Sequence, residues 1–344
     1  MEVFCTSPWV PPEWIKAHGL EPRGVWLAED FAGEPLPLAA GVCAFANAAV
    51  RLAERQSRSA VIFTTHCDQL RRGFDAVADT APSRLFLFNL PVTWQTPVAE
   101  RIFYDELRRL GQFLISLGGH APTTGDLAGI MAQYCHARRR LLAAAHWRPA
   151  RAYAEAVAQF HLDGSVRLPP EPAAAPLGLH TITKAAPQPP PLNLNRNLTP
   201  IPLALVGGPL PQSQMPLLDA IEKAGGRVVL NATEAGERSL WPVSSLDQAQ
   251  PAAPLVLLAR SCLANCVDVF QRPNTRLYDW LRERLIARQA RGIILWHYVG
   301  CDLWRAEAQP LRAAFGLPVL LLDADEAAPR RNTSRLEAFL ESLR

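Results

Sequence analysis

Several features are missing or scarce in this sequence, and each absence excludes a class of function. The chain has no CxxC pair among its seven cysteines, which excludes the simplest zinc and thioredoxin-like sites. No uninterrupted apolar stretch approaches the roughly 20 residues that a membrane-spanning helix needs. The amino terminus lacks the basic region and apolar segment of a secretory signal. Charged residues make up only 19% of the chain and its net charge is +3, so no basic surface for nucleic acid is expected.

What remains is the composition of a globular α/β protein in a reducing compartment. The 344 residues are enough for two domains, each with its own core. An odd number of cysteines argues against a disulfide framework and favours thiols that serve as ligands or as small core residues. We therefore expect a cytoplasmic protein that binds neither membrane nor nucleic acid.

The strongest pattern is a strand, a turn, a Cys-Asp pair and a helix, and it occurs twice. Residues 60–75 read AVIFTTHCDQLRRGFD, in which a β-favouring apolar run is followed by a turn, Cys67 and a helical pattern. Residues 292–302 read GIILWHYVGCD and lead through Cys301 into another helical segment. A cysteine at a helix amino terminus has its thiolate stabilised by the helix dipole and by free N–H groups. The repetition favours a functional interpretation of both cysteines.

Strands alternate with helices in both halves, which predicts an α/β fold of two doubly wound parallel-sheet domains with additional helices. Residues 1–165 are expected to form an N-terminal α/β domain with a helical extension, and residues 201–344 a C-terminal α/β domain. Residues 166–200 contain PPEP and QPPPL without sustained periodicity, which is typical of an extended linker. Ligands of such sheets bind beyond the carboxyl ends of the strands, so the two Cys-Asp junctions could face each other across a cleft.

Local patterns give approximate bounds for the elements. The expected strands are 3–6, 23–28, 60–63, 84–89, 201–206, 227–231, 293–296 and 318–323. The expected helices include 38–55, 98–116, 126–147, 150–161, 215–223, 255–266, 274–289 and 334–343, with shorter ones after residues 11, 67 and 301.

Other motifs point to structure rather than to chemistry. Gly207 and Gly208 follow a strand, as in a phosphate-binding turn, but neither GxGxxG nor GxxxxGK[ST] is present, so tight-turn glycines are the favoured interpretation. Cys262 and Cys266 share a helical face and could share a metal, but core packing is favoured because no third ligand lies nearby. Cys135 falls inside a helix and is interpreted as structural.

Three cysteines lie on loops or at helix starts, namely Cys43, Cys67 and Cys301. Ligands gathered from distant loops suit an iron-sulfur cluster better than structural zinc, which prefers local pairs and four closed ligands. Three thiolates would leave one iron open for a small ligand or a substrate. Taken alone, Cys43 among alanines is more typical of core packing.

Five pieces of the sequence carry a resemblance to a known family. They are CTSPWVPPE at 5–13, Cys43, THCDQLRRGFD at 65–75, VGGPL at 206–210 and GCD at 300–302. In this order they resemble the D-component family of 2-hydroxyacyl-CoA dehydratases, which includes the smaller subunits of benzoyl-CoA reductases.

The resemblance implies two flavodoxin-like domains with a [4Fe-4S] cluster between them, bound by Cys43, Cys67 and Cys301. It also implies a homologous partner subunit and a separate ATP-hydrolysing iron-sulfur activator that supplies one electron. That electron makes a ketyl radical of an acyl-CoA thioester carbonyl, so that an unactivated hydroxyl can leave. Glu13, in the N-terminal motif, and His66, beside Cys67, are candidate catalytic residues.

The chain also departs from the family pattern. The segment between Cys43 and Cys67 is compressed and lacks the extra cysteine expected of a double-cubane cluster, and residues 330–333 read RRNT where the family has Gly-Gln. Three functions therefore stay open. The first is the iron-sulfur subunit of a 2-hydroxyacyl-CoA dehydratase or benzoyl-CoA reductase-like enzyme. The second is a non-catalytic iron-sulfur electron-transfer subunit, and the third is a cluster-free α/β binding module.

Overall fold

The fold is described from a computed structural model that covers residues 1–27, 41–55, 58–145, 149–166, 199–242, 253–324 and 329–344. These residues contain two parallel sheets of four strands each. The first sheet has strands β1 (Glu2–Cys5), β2 (Glu21–Gly24), β3 (Ser59–Thr64) and β4 (Leu85–Phe88). The second has strands β5 (Ile201–Gly207), β6 (Gly226–Thr233), β7 (Gly292–His297) and β8 (Val319–Asp323).

Helices cover the faces of both sheets. In the N-terminal half they are α1 (Pro12–Ala17), α2 (Ala44–Arg55), α3 (Asp68–Val77), α4 (Pro97–Ser116), α5 (Thr124–Ala144) and α6 (Ala150–Asp163). In the C-terminal half they are α7 (Pro216–Lys223), α8 (Pro254–Asn265), α9 (Thr275–Ala287), α10 (Asp302–Ala306), α11 (Ala308–Phe315) and α12 (Pro329–Ser342). None of the helices in the described ranges is both long and apolar enough to cross a bilayer.

The two sheets have the same strand order. It is β2-β1-β3-β4 in the first sheet and β6-β5-β7-β8 in the second, with all neighbours parallel. This is the flavodoxin-like, doubly wound order, so the predicted fold class is confirmed. In each sheet the winding reverses between the first and third strands, and the carboxyl ends of those strands form the crevice in which such folds bind ligands.

The central strands form because their sequences are continuous apolar runs that helices cover on both faces. Every residue of β3 and of β7 is buried. A strand buried on both faces has no polar alternation, which is why these runs could be recognised from the sequence.

Several predicted element bounds differ from the structure; the helix predicted at 334–343, for example, begins at Pro329. Three further differences concern the segments near the cavity cysteines and β2. The strand predicted at 23–28 is β2, which ends at Gly24; the Trp26 ring folds back on it, so that a Cβ at position 24 would lie 2.5 Å from the ring. The helix predicted at 38–55 begins at Ala44 within the described residues, and positions 38–40 lie outside them. The helical segment after Cys301 breaks at Glu307, whose carboxylate accepts hydrogen bonds from Asn274 and Tyr278.

The two halves pack against each other. Helix α6 contacts both β2 and β6, and α8 packs on α4 and α5. One apolar cluster contains Phe45 and Ala154 from the N-terminal half together with Leu205 and Tyr298 from the C-terminal half. The sheets fall on either side of the linker predicted at 166–200, of which 167–198 lie outside the described residues, and the domain bounds themselves stay a prediction.

Candidate functional site

Cys43, Cys67 and Cys301 line one cavity between the two sheets. The cavity has about 470 Å³ of empty space, including the open space at its mouth. The other lining residues are Phe45, His66, Leu70, Gly208, Pro209, Glu234, Asp268, Val269, Tyr298, Leu303 and Trp304. The fold thus brings together three cysteines that are remote in sequence and come from both halves of the molecule.

Two of these cysteines occupy equivalent places in the two sheets. Cys67 is the N-cap of α3, three residues after β3, and Cys301 is the N-cap of α10, four residues after β7. The turn before Cys301 is closed by its own N–H, which donates to the Tyr298 carbonyl at 2.9 Å, and Gly300 takes a φ of +86° there. Both thiols therefore lie beyond the carboxyl end of the third strand, at the crevice where the winding reverses.

Each thiol also lies at the start of a helix and faces backbone N–H groups. Cys43 directly precedes α2, and its Sγ accepts a hydrogen bond from the Ala46 N–H at 3.5 Å. The N–H groups of Leu70 and Gln69 face the Cys67 sulfur, and that of Trp304 faces the Cys301 sulfur. N–H groups aimed at sulfur stabilise a thiolate and tune the potential of a cluster that it binds.

The three thiols are buried, and a charge on one of them changes the pKa of another. Burial raises the pKa of all three thiols, and it brings that of Cys301 to about 12. After burial, the next contributor that raises the pKa of Cys67 is a negative charge on Cys43, and a charge on Cys301 raises it further. Without a bound cation these thiols stay protonated at neutral pH. A group that the cysteines bind as thiolates must therefore supply positive charge.

The donor set fits a cluster better than a single ion. Within the described parts of the chain, no three His, Cys, Asp or Glu side chains are grouped so that they could hold one metal ion. In an iron-sulfur cluster each cysteine binds a different iron, so the thiols need not meet at one point. Three thiols on one cavity, with N–H groups facing the sulfurs, fit such a cluster. Its binding by Cys43, Cys67 and Cys301 stays a prediction.

Another part of the cavity wall carries buried carboxylates that no sequence motif predicted. Glu234 directly follows β6, and Asp268 lies between α8 and α9. The Asp268 carboxylate accepts a hydrogen bond from Arg238 Nη1 at 2.8 Å, and Arg238 also donates to the Gly207 carbonyl and lies over the Trp304 ring. A buried arginine thus fixes the position of this acidic wall.

Glu234 is the less satisfied of the two carboxylates. It is 4% exposed, and its Oε2 atom has no hydrogen-bond partner among the described residues. Burial, followed by the charge of Asp268, raises the pKa of Glu234 to about 8. The only sequence signal for this wall is a run of polar residues at the end of a strand, TEAGER at 233–238, which is not specific.

The two candidate catalytic residues lie in different places. His66 lines the cavity; its Nδ1 is 2.7 Å from Thr64 Oγ1, and its Nε2 is 4.0 Å from Glu234 Oε2. Burial lowers the pKa of His66, so the ring is uncharged at neutral pH. Glu13 is not among the lining residues. It is fully buried and forms an ion pair with Arg138, which ties α1 to α5.

The remaining cysteines lie in or against the core of the N-terminal half. Cys5, Cys262 and Cys266 are buried, and the Cys262 thiol donates to the Trp9 carbonyl at 3.7 Å. Cys135 is partly buried and packs against the same cluster. All seven cysteines are free thiols and fall within the described residues. The core interpretation of Cys262 and Cys266 agrees with these contacts.

The Gly207-Gly208 turn is shaped by close packing of the backbone. Gly207 has a φ of +145°, and a Cβ there would lie 1.8 Å from the Trp296 carbonyl oxygen. Gly208 donates its N–H to that same oxygen at 3.2 Å. Because only glycine allows this approach, the geometry agrees with the tight-turn interpretation rather than with a phosphate-binding loop.

Comparison with known proteins adds one match. A family model described as 2-hydroxyglutaryl-CoA dehydratase, D-component, matches residues 9–343. This range includes all three cysteines of the cavity and every strand of the two sheets apart from β1. No curated protein matches the sequence.

Proposed function

We propose, from the premise that this chain belongs to the 2-hydroxyglutaryl-CoA dehydratase D-component family, that it is the iron-sulfur subunit of a 2-hydroxyacyl-CoA dehydratase or of a benzoyl-CoA reductase-like enzyme. Family membership supports a component of a dehydratase, which is a lyase. One observation carries the finer proposal, and it is the position of Cys43, Cys67 and Cys301 on the same cavity.

In this proposal the three thiolates hold a [4Fe-4S] cluster. When bound, the cluster supplies transfer of a single electron to an acyl-CoA thioester. The chain's own contribution is the environment of the site. Apolar side chains such as Phe45, Leu70 and Tyr298 line the cavity and exclude water, which strengthens the N–H to sulfur interactions and limits side reactions of a radical.

The cavity also carries acidic and basic side chains that can exchange protons. Glu234, Asp268 and His66 lie on the same cavity as the thiols, and apart from cysteine and Tyr298 they are the titratable side chains that line it in the described chain. A neutral histidine near a carboxyl group can move a proton when a hydroxyl departs as water. This arrangement supports His66, rather than Glu13, as the candidate for acid-base chemistry.

Partners follow from the same premise. A D-component implies at least one further component in a complex. We propose that the partner is a homologous subunit, either a copy of this chain or a relative. The electron then comes from an ATP-dependent iron-sulfur activator protein, and the substrate is an acyl-CoA. The cytoplasm, where thiols stay reduced, is the proposed location.

A second candidate is a non-catalytic electron-transfer subunit. Among the described residues, no lysine or arginine lines the cavity, although phosphate groups such as those of CoA are usually bound by basic side chains. This observation favours a chain that holds a cluster while its partner binds the substrate.

The first experiment is iron and sulfide counting on protein purified without exposure to oxygen. The proposal predicts about four irons and four sulfides per chain. Protein without iron under these conditions would contradict both iron-sulfur functions and leave the cluster-free binding module.

A second experiment separates the enzyme from the electron relay. The cluster's EPR spectrum is recorded with and without 2-hydroxyglutaryl-CoA. A change in the spectrum supports a substrate-accessible cluster. An unchanged spectrum, with 2-hydroxyglutaryl-CoA bound only by the partner subunit, supports the electron relay.

A further inference from the structure

The segments that carry the three cysteines meet at one side chain, that of Gln69. Gln69 lies in the first turn of α3, two residues after Cys67. Its Oε1 atom accepts a hydrogen bond from the backbone N–H of Cys43 at 2.8 Å. The same atom lies 4.0 Å from the position that a Cβ would take at Gly300, the residue before Cys301. One amide group is therefore next to all three segments.

These contacts matter because the three segments are otherwise attached to different elements. Cys43 belongs to the start of α2, Cys67 to the start of α3 and Cys301 to the start of α10. The N–H groups that face each sulfur come from the helix that follows the same cysteine, so they do not fix one sulfur relative to another. The hydrogen bond from Cys43 to Gln69 joins two of the segments directly.

The third segment lies beside Gln69, in a turn that needs a glycine. Gly300 has a φ of +86°, which a residue with a side chain rarely adopts, and Gln69 Oε1 is the nearest atom to its missing side chain. The turn can therefore lie against the glutamine.

We propose that Gln69 is a positioning residue that sets the distances between the three thiols. This inference rests on the proposed function, since the distances matter only if the thiols bind one cluster. Groups that orient metal ligands from outside the coordination shell change metal affinity by about 10–100-fold when they are removed. Gln69 fits this description because it binds the backbone of one ligand residue, follows the second by two residues and lies beside the third.

The test compares Gln69→Leu with Gln69→Glu. Leucine has a similar size and suits a helix, but it cannot accept the Cys43 N–H, whereas glutamate keeps an oxygen that can. Gln159→Leu in α6 is the matched control, since Gln159 is also a helical, partly buried glutamine with one side-chain hydrogen bond, to Asp163. Each variant is reconstituted with iron and sulfide without oxygen, and iron retention is then measured against a competing chelator.

We expect Gln69→Leu to lower iron retention by about 10–100-fold, and Gln69→Glu and Gln159→Leu to stay close to the wild type. A second readout uses metal-free protein. Amide hydrogen exchange at Cys43 should become about tenfold faster in Gln69→Leu and stay slow in Gln69→Glu, while the melting temperature changes little. A merely structural role would lower the melting temperature without this selective change.

The failures of the two proposals can be told apart. Wild-type protein that binds no iron would overturn the proposed function and the role of Gln69 with it. Wild-type protein with a full cluster, together with unchanged iron retention and Cys43 exchange in Gln69→Leu, would overturn only the role of Gln69. Equal losses in Gln69→Leu and Gln69→Glu would also overturn it, because the accepting oxygen would then have no effect.

Discussion

The two sheets have one strand order but present different groups to the cavity. The connection between β2 and β3 supplies Cys43, and the end of β3 leads to Cys67. The corresponding connection between β6 and β7 supplies Glu234 and Asp268, and the end of β7 leads to Cys301. The N-terminal half therefore contributes two thiols, while the C-terminal half contributes one thiol and two acids. A shared fold fixes where side chains point, and the connecting segments decide which chemistry they bring.

The two sides are also stabilised in different ways. The thiols face N–H groups at helix starts, which favour negatively charged sulfur. The acids depend on Arg238, which is 2% exposed and donates to Asp268. The thiol side therefore needs a bound cationic group to be fully stabilised, whereas the acid side carries its own cation.

The largest effect is expected from removal of a thiol. Cys67→Ala and Cys301→Ala should each abolish cluster assembly, because the remaining cysteines cannot hold the cluster, and Cys43→Ala should do the same. Iron and sulfide counts after anaerobic purification measure this. Cys135→Ala is the control and should keep the full count. Loss of iron in Cys135→Ala with retention in Cys67→Ala would show that the ligand assignment is wrong.

The next effect compares equivalent positions in the two sheets. Gly207 pairs with Trp296 at the end of β5, as Cys5 pairs with Ile62 at the end of β1. We expect Gly207→Ala to lower the free energy of unfolding by at least about 3 kcal/mol, because the added methyl would meet the Trp296 carbonyl. Cys5→Ala removes a buried thiol and should cost about 1–2 kcal/mol. Urea unfolding measures both, and equal losses would contradict the comparison.

Removal of the cation that pairs with the acids should have an effect on stability similar to that of Gly207→Ala. Arg238→Met leaves Asp268 and Glu234 buried without their arginine, which should cost about 3–5 kcal/mol in the free energy of unfolding. Arg260→Met is the control, since Arg260 forms a solvent-exposed ion pair with Glu100 and should change little. A small loss in Arg238→Met would mean that the acid wall does not depend on this arginine.

Much of this arrangement could be predicted from the sequence, and what could not has a physical reason. The fold class and the places of Cys67 and Cys301 follow from buried apolar runs and the helical patterns after them, which are local signals. The acid wall, Arg238 and Gln69 could not be predicted, because their meeting depends on how the two halves pack. The break at Glu307 could not be predicted for a similar reason, since hydrogen bonds from Asn274 and Tyr278, which are distant in sequence, position it.

The smallest expected effect concerns the contact between the halves. The Nε2 atom of His161, in α6, lies 2.8 Å from the Oγ atom of Ser239 in the C-terminal half. The His161 ring also packs edge-on against Trp26 of the N-terminal half. Burial, followed by the charge of Arg138, lowers the pKa of His161 to about 3. The unfolded chain takes up a proton near pH 6.5 and the folded protein does not, so stability is full above pH 6.5 and falls as the pH drops toward 3.

Acid should therefore loosen the contact between the two halves. Between pH 7 and pH 5 we expect this histidine to account for a loss of about 1–2 kcal/mol in the free energy of unfolding. His161→Gln should remove that part of the pH dependence, as measured by urea unfolding at both pH values. An identical pH dependence in the variant would show that His161 is not responsible.

The most direct test of the central claim is an anaerobic crystal structure with anomalous diffraction recorded at the iron absorption edge. We expect iron density inside the cavity, in contact with the sulfur atoms of Cys43, Cys67 and Cys301. Iron bound elsewhere, for instance at Cys262 and Cys266, or a cavity without iron in fully active anaerobic protein, would contradict it.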